Sequence, residues 1–137
     1  MAEALARQLV RSGAVEGVEP DLFVASAGVF ASDGVPMSPE SAAALERRGI
    51  DPDGTSKRLT PEMILNADLV LGMTASHVEA ARMLAGPDCT TPIERVDPEG
   101  DIEDPIGLGQ DAYDRVAERL DEVLPGRLRG LLTAGRD

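Results

Sequence analysis

One run of residues, Asp68-Leu69-Val70-Leu71-Gly72-Met73, constrains the fold most, because it is apolar at every position after the first. Without polar residues in alternation, such a run predicts a strand that is buried on both faces, as strands of parallel sheets are. Residues 22–25 read as a second buried strand and residues 92–96 as a weaker third. Helices must then cover both faces of the sheet, so the sequence predicts an α/β fold with a parallel sheet.

Helix signals occupy the segments between these strands. Ser38-Pro39-Glu40 and Thr60-Pro61-Glu62 each supply an N-cap, a proline for the first turn and an acid at the positive end of the helix dipole. The predicted helices cover residues 2–10, 39–48, a short stretch from 61, a stretch from Thr74 or Ser76 to 84, and 110–124, where Pro125 is expected to end the last one. Residues 1–128 are predicted to form one domain and residues 129–137 a short tail.

Charge and composition exclude several classes of function. The formal net charge is -12, so the chain is not expected to bind nucleic acid or anionic membranes, whose affinity depends on Lys and Arg. One cysteine and one histidine predict no internal disulfide, no metal site and no cofactor held by such residues. No apolar run approaches transmembrane length and no signal peptide opens the chain, so a cytoplasmic location is expected.

The candidate acid is Asp104, in the loop that follows the last predicted strand. Ligands of parallel α/β sheets bind at the carboxyl ends of the strands, which here are the loops after residues 28, 73 and 96. Pro105 has a fixed φ and favours an extended conformation for the residue before it. That geometry can hold a carboxylate rigidly above a pocket, as a general acid requires.

Several blocks of sequence, in one order along the chain, carry a family resemblance. They are Met1-Ala2-Glu3-Ala4-Leu5-Ala6, Ser26-Ala27-Gly28, Gly34-Val35-Pro36-Met37-Ser38-Pro39-Glu40, Arg48-Gly49-Ile50-Asp51, Leu59-Thr60-Pro61-Glu62, Ala67-Asp68-Leu69-Val70-Leu71, Met73-Thr74-x-x-His77 and Asp101-Ile102-x-Asp104-Pro105-x-Gly107. Together they resemble the low-molecular-weight protein tyrosine phosphatase family, in its bacterial branch, from residue 1 to about residue 128. The resemblance implies a three-layer fold with a four-stranded parallel sheet in the order 2-1-3-4.

The resemblance also implies a reaction and its parts. Members of the family hydrolyse phosphomonoesters through a phosphocysteine: the thiolate of a C-x5-R-S loop attacks phosphorus, and the Asp of the D-P pair, here Asp104, protonates the leaving oxygen and then activates water. That loop and the strand before it precede the helix that begins here at Met1, so about 15 residues are expected to be missing, counting one short strand and an eight-residue loop. The chain as given is therefore expected to be inactive, with no nucleophile of its own.

Cys89 opens the one C-x5-R sequence in the chain, Cys89-Thr90-Thr91-Pro92-Ile93-Glu94-Arg95. We do not expect it to be a phosphate loop. It contains no glycine, Pro92 lacks an N–H donor, and Glu94 would repel an anion. A surface cysteine ahead of an edge strand is the expected alternative.

The remaining candidates have weaker patterns. Ile106 stands where relatives often carry an aromatic residue beside the substrate, so we predict a place at the substrate rim and no strong preference for aromatic phosphoesters. Tyr113 is predicted either to pack within its helix or to lie at that rim. His77 is predicted to be structural or exposed, and Lys57 and Arg58 to be solvated charges.

Loss of a central strand would leave two strand edges without partners. Unpaired buried backbone groups cost roughly 1–3 kcal/mol each, so the chain alone is expected to be unstable or to self-associate through these edges. Three interpretations stay open: a truncated form of a real phosphatase, a genuine non-catalytic binding module, and a relative of the arsenate reductases that share the fold but need several reactive cysteines. The substrate could be a phosphorylated protein, on tyrosine or arginine, or a small phosphoester.

Overall fold

The computed structural model of the protein describes residues 1–13, 15, 22–28, 33–52 and 55–133. Its elements are α1 (Ala2–Arg11), α2 (Pro39–Glu46), α3 (Pro61–Leu65), β1 (Val70–Gly72), α4 (Ala75–Ala85), β2 (Ile93–Arg95) and α5 (Gln110–Thr133). The predicted α/β class is confirmed, with helices against a small parallel sheet. The end of the predicted tail, residues 134–137, lies outside the described residues.

Three hydroxyl caps fix where the central helices begin. Ser38 Oγ accepts from Ser41 N at 3.3 Å, Thr60 Oγ1 from Met63 N at 3.3 Å, and Thr74 Oγ1 from His77 N at 3.2 Å. Each bond satisfies one of the backbone donors that a helix start leaves without an internal acceptor. The predicted starts of α2 and α3 are therefore confirmed, and Thr74 rather than Ser76 caps α4.

The described sheet consists of two parallel strands, with Val70 paired to Ile93 and Gly72 to Arg95. Gly72 lies under α4, and a Cβ added there would stand 2.8 Å from Val78 Cγ2. A side chain at this position would push α4 away from the sheet, which accounts for the glycine. On the same helix, Arg82 Nη2 donates to the carbonyl oxygen of Ile93 at 2.7 Å and ties α4 to β2.

The prediction of a strand at residues 22–25 is wrong, because this segment has no regular structure. Leu22 and Val24 are half-buried against the core, whereas Phe23 is 86% exposed. The Val24 carbonyl accepts a bond from Arg7 Nη2 at 3.0 Å. A strand needs a ladder partner, and among the described residues β1 pairs only with β2, which leaves this apolar segment beside the core without a strand to join.

The expectation that Pro125 ends the last helix is also wrong, since α5 continues through it to Thr133. Proline removes one helical hydrogen bond and strains the preceding turn, so the continuation needs compensation. Leu124 and Leu128, on either side of it, are both buried in the core. Arg127 donates from Nε and Nη2 to the Arg95 carbonyl at 3.1 and 2.6 Å, which holds the turn after the proline against the end of β2.

Two hydrophobic clusters form the described core. The larger joins α1, α2 and α5 with the segment after β2, and its buried members are Leu5, Ala6, Val10, Val15, Ala44, Leu45, Val96, Ile102, Ala117, Leu120, Leu124 and Leu128. The smaller lies between α3, α4 and β2 and contains Ile64, Val78, Ala81 and Ile93. The larger cluster reaches Ile102, so the core extends into the loop that carries Asp104.

Candidate active site

The loops that follow β1 and β2 meet at the carboxyl edge of the sheet, as predicted for a parallel arrangement. The Ile102 amide donates to the Met73 carbonyl at 2.8 Å, and the Ala75 amide donates to Asp101 Oδ1 at 2.8 Å. Ile102 is only 6% exposed. The loop after β2 is therefore anchored to the start of α4 two to three residues before Asp104.

Asp104 itself is exposed and sits in a tight turn. Its Oδ1 accepts from the Ile106 amide at 3.1 Å, an Asx turn that orients the carboxyl group. The Leu108 amide donates to the Pro105 carbonyl at 3.0 Å, and Gly107 has a φ of 77°, which suits glycine in such a turn. Together these bonds present a carboxyl group to solvent on a short, internally bonded loop, which is what a proton donor to a bound substrate needs.

The two apolar side chains that follow Asp104 in this loop point to solvent, unlike Ile102 before it. Ile106 is 72% exposed and Leu108 is 69% exposed. Tyr113, by contrast, retains 6% exposure within α5, which favours the packing alternative for that residue. Ile106 is therefore exposed close to Asp104, whereas Tyr113 is buried. A place at the substrate rim remains a prediction for both residues.

A second part of the surface joins the first turn of α1 to the segment around Ser26. Ser26 Oγ lies 3.4 Å from Glu3 Oε1, and Glu3 Oε2 lies 3.3 Å from Arg7 Nη2. The same Arg7 nitrogen holds the Val24 carbonyl. These contacts place the Ser26-Ala27-Gly28 block against the start of α1. Both segments are among the sequence blocks that carry the family resemblance.

Cys89 lies at the opposite end of the β-strands from Asp104. It comes before β2, at the amino end of the strand, whereas Asp104 follows the carboxyl end of the same strand. The cysteine is half-buried and lines a shallow cavity of about 450 Å³ together with Arg82, Met83 and Ile93. Residues 93–95 of its C-x5-R sequence are an extended strand, so this segment does not close around an anion.

His77, Lys57 and Arg58 are exposed, and the backbone of the last two pairs with neighbouring loops. The Lys57 carbonyl accepts from the Gly28 amide at 2.9 Å, and the Arg58 amide donates to Asp33 Oδ1 at 2.8 Å. The predictions of an exposed histidine and of solvated cationic side chains agree with these positions. Among the described residues, no group of three or more His, Cys, Asp or Glu could hold a metal ion.

An ion pair beneath the same loop was not singled out by the sequence. Asp97 is 6% exposed, and its Oδ2 lies 2.7 Å from both Nε and Nη2 of Arg119 on α5. Its Oδ1 accepts from the Glu99 amide at 2.9 Å. The Arg119 bonds, followed by the Glu99 amide, hold the pKa of Asp97 below its ordinary value, and the same pair raises the pKa of Arg119.

This pair predicts an acid-dependent loss of stability. Because the folded-state pKa of Asp97 is depressed, its contribution is complete above the ordinary value of 3.8 and is lost as pH falls through the lower folded-state pKa. We expect Asp97→Asn to be less stable than the parent chain at pH 7 and the difference to shrink below about pH 4. Urea unfolding between pH 7 and pH 2.5 measures this, with Glu118→Gln, an exposed position on α5, as control. A constant difference across that range would contradict the assignment.

Comparison with known proteins identifies the architecture around this loop. A family model described as low molecular weight phosphotyrosine protein phosphatase matches residues 1–134. A protein-arginine-phosphatase of Bacillus subtilis is 35% identical over 128 residues, which cover 90% of this chain and 82% of that protein. The low molecular weight protein-tyrosine-phosphatase PtpB of Staphylococcus haemolyticus is 35% identical over 111 residues, covering 80% and 79%.

A solved structure gives the same result in three dimensions. A mutant of the YwlE arginine phosphatase with a phosphorylated active-site serine superposes with a TM-score of 0.84 at 30% identity. The match covers 98% of this chain and 88% of that one. In the part of this chain that the structure describes, no helix is long and apolar enough to span a membrane.

Proposed function

Since the chain belongs to the low molecular weight phosphotyrosine protein phosphatase family, we propose that it carries the general-acid half of a site that removes phosphate from phosphorylated protein side chains. Asp104 is the acid. The observation that carries this proposal is the anchoring of its loop at the carboxyl edge of the sheet, through Ile102 to Met73 and through Asp101 to Ala75, with the carboxyl group exposed.

In this proposal Asp104 acts twice. A thiolate attacks phosphorus and forms a P–S bond while the bond from phosphorus to the leaving atom breaks, and the proton of Asp104 passes to that leaving oxygen or nitrogen. The carboxylate then takes a proton from water as the water oxygen attacks the phosphothiol phosphorus, which releases inorganic phosphate and the thiolate. The exposed position of Asp104 supports this role, since the carboxyl group must reach the substrate and then water.

The nucleophile in this scheme is not Cys89. That residue lies at the other edge of the sheet, on a segment that continues into β2, and it is the one cysteine among the 137 residues. Nor do the 137 residues contain another C-x5-R sequence that could hold phosphate. We therefore propose that the chain as given does not turn over phosphoesters and that hydrolysis needs a strand and C-x5-R-S loop in front of α1.

The substrate is proposed to be phosphoarginine or phosphotyrosine in a protein. Relatives with each activity in their names match this chain at the same 35% identity, so the names do not separate the two. The loop bears on the choice: Ile106 next to Asp104 is aliphatic and cannot stack on a phenol ring, whereas it can contact an aliphatic stem. We favour phosphoarginine on this ground.

The test compares two proteins under identical conditions. The 137-residue chain should release no measurable phosphate from p-nitrophenyl phosphate, phosphoarginine or a phosphotyrosine peptide. The same chain preceded by a family strand and C-x5-R-S loop should hydrolyse them, and its ratio of kcat/KM for phosphoarginine to that for phosphotyrosine identifies the substrate. A cysteine-to-serine change in the added loop is the matched negative control. Turnover by the 137-residue chain that is lost in Cys89→Ser would overturn the proposal.

The placement of Cys89 also supports a second candidate, a non-catalytic binding module with the same fold. Such a module would bind a phosphorylated segment at the Asp104 edge without hydrolysing it. Calorimetric titration of the 137-residue chain with phosphorylated and unphosphorylated forms of one peptide distinguishes the two. The 137-residue chain preceded by the added strand and C-x5-R-S loop is called the extended chain below. Micromolar binding of the phosphorylated form alone, together with an inactive extended chain, would favour the module.

A further inference from the structure

We propose that Asp101 is a positioning residue for Asp104: it fixes the acid-bearing loop to the start of α4 and, through Arg95, to the end of α5. This inference rests on the proposed role of Asp104 and adds a residue to it. Asp101 Oδ1 accepts from the Ala75 amide at 2.8 Å, across 26 positions of sequence. The carboxylate in the loop after β2 thereby accepts from the first backbone amide of α4, a donor that has no acceptor within its own helix.

The contact has a strong physical basis. A helix leaves its first amides without internal acceptors, and its N-terminus carries partial positive charge, so an anionic acceptor is favoured there. Thr74 already satisfies the His77 amide of α4, and Asp101 takes the Ala75 amide. The neighbouring Ile102 amide donates to the Met73 carbonyl at 2.8 Å. Two adjacent residues of the loop are thus bonded to the two sides of the β1–α4 junction.

Arg95 extends this connection to the other side of the sheet. Its Nη1 lies 3.3 Å from Asp101 Oδ1, and its Nη2 lies 3.4 Å from the Pro98 carbonyl. The carbonyl of Arg95 is itself held by Arg127 of α5 at 2.6 Å. Asp101 is therefore the point at which the start of α4 and the far part of α5 are both joined to the loop, three residues before Asp104.

The charges around Asp101 fit a positioning role rather than a catalytic one. Its negative charge is met by the Arg95 guanidinium and by the N-terminus of α4, so its carboxylate is already bonded within the protein. Asp104 has its own internal bond to the Ile106 amide. The turn of Asp104 is thus preformed, and Asp101 with Ile102 sets where that turn stands relative to the sheet edge.

Hydrogen exchange in the 137-residue chain tests the positioning directly, without any need for activity. Asp101→Ala should raise the exchange rate of the Ile102 amide about tenfold, as expected on loss of a charge-assisted hydrogen bond beside it, while amides of α2 change little. Asp101→Asn keeps an acceptor for Ala75 and should restore most of the protection. Glu99→Ala, an exposed carboxylate of the same loop, is the matched control. Unchanged exchange in Asp101→Ala would overturn the inference.

Kinetics of the extended chain show whether the position matters to Asp104. Weakened proton donation hurts poor leaving groups most, so Asp101→Ala should lower kcat for phenyl phosphate more than for p-nitrophenyl phosphate, with KM nearly constant. A merely structural role would lower both equally, and that outcome would also overturn the inference. If Asp104→Ala leaves turnover unchanged, the proposed function fails instead, and the exchange result still decides whether Asp101 holds the loop.

Discussion

Asp104→Asn in the extended, active chain is expected to lower kcat for phenyl phosphate by about 10²- to 10⁴-fold, the range that general acid catalysis usually contributes. The amide cannot give a proton to the leaving oxygen. Its own oxygen can still accept from the Ile106 amide, so the Asx turn around residue 104 should persist. The loss can then be assigned to the missing proton rather than to a changed loop.

Leaving groups supply the internal control for this variant. p-Nitrophenolate departs readily without a proton, so the loss with p-nitrophenyl phosphate should be much smaller than with phenyl phosphate. Burst kinetics in the variant should show phosphoenzyme formation becoming slow, since the first step needs the acid. Glu103→Gln, an exposed neighbour in sequence, should change kcat by less than about threefold, as expected for a group outside the proton transfer. Equal rates for Asp104→Asn and the parent chain would remove Asp104 from the mechanism.

Much of the helical structure could be predicted because its signals are local. Ser38, Thr60 and Thr74 each cap the next helix through an amide three residues on, so the donor and acceptor lie in one short stretch of sequence. The pairing of residues 70–72 with 93–95 agrees with the strand order that the family resemblance implies, in which the third and fourth strands are neighbours. The local signal gave a wrong prediction at Pro125, because the helix after the proline is held by the carbonyl of Arg95, 30 positions earlier.

The strand expected at residues 22–25 failed for a related reason. An apolar sequence can favour an extended backbone, but a strand exists only where a second backbone accepts its hydrogen bonds. Here the Val24 carbonyl is met by a side chain of α1. The expected self-association through strand edges likewise depends on whether a strand has a backbone partner, and it remains a prediction.

The candidate site was predicted in part. Asp104 emerged from the D-P pair, the loop position and the resemblance, and the structure shows the loop held at the expected edge. Asp97 did not emerge, and Asp101 appeared only as part of a block that carries the resemblance, with no role of its own. Their partners Arg119 and Ala75 lie 22 and 26 positions away, so no local pattern shows these contacts. Cys89 shows the converse: a motif in sequence whose residues the fold spreads along a strand.

The two isoleucines of the acid-bearing loop offer a matched pair for the second large effect. Ile102 is 6% exposed and belongs to the main core, whereas Ile106, four residues later, is 72% exposed. Ile102→Ala should lower the free energy of unfolding by about 2–5 kcal/mol, through lost burial and the cavity left behind. Ile106→Ala should change it by less than about 0.5 kcal/mol, as surface substitutions do.

Urea denaturation of both variants in the 137-residue chain measures these values, at one fixed protein concentration so that any self-association contributes equally. The two variants should also differ in which kinetic parameter they change. In the extended chain, Ile106→Ala should raise KM with little effect on kcat if this side chain contacts the substrate, whereas Ile102→Ala should lower kcat because the loop that bears Asp104 loses its anchor in the core. Equal destabilisation by the two variants would mean that the loop is not held by the core and that Asp104 is not a rigid, preorganised acid.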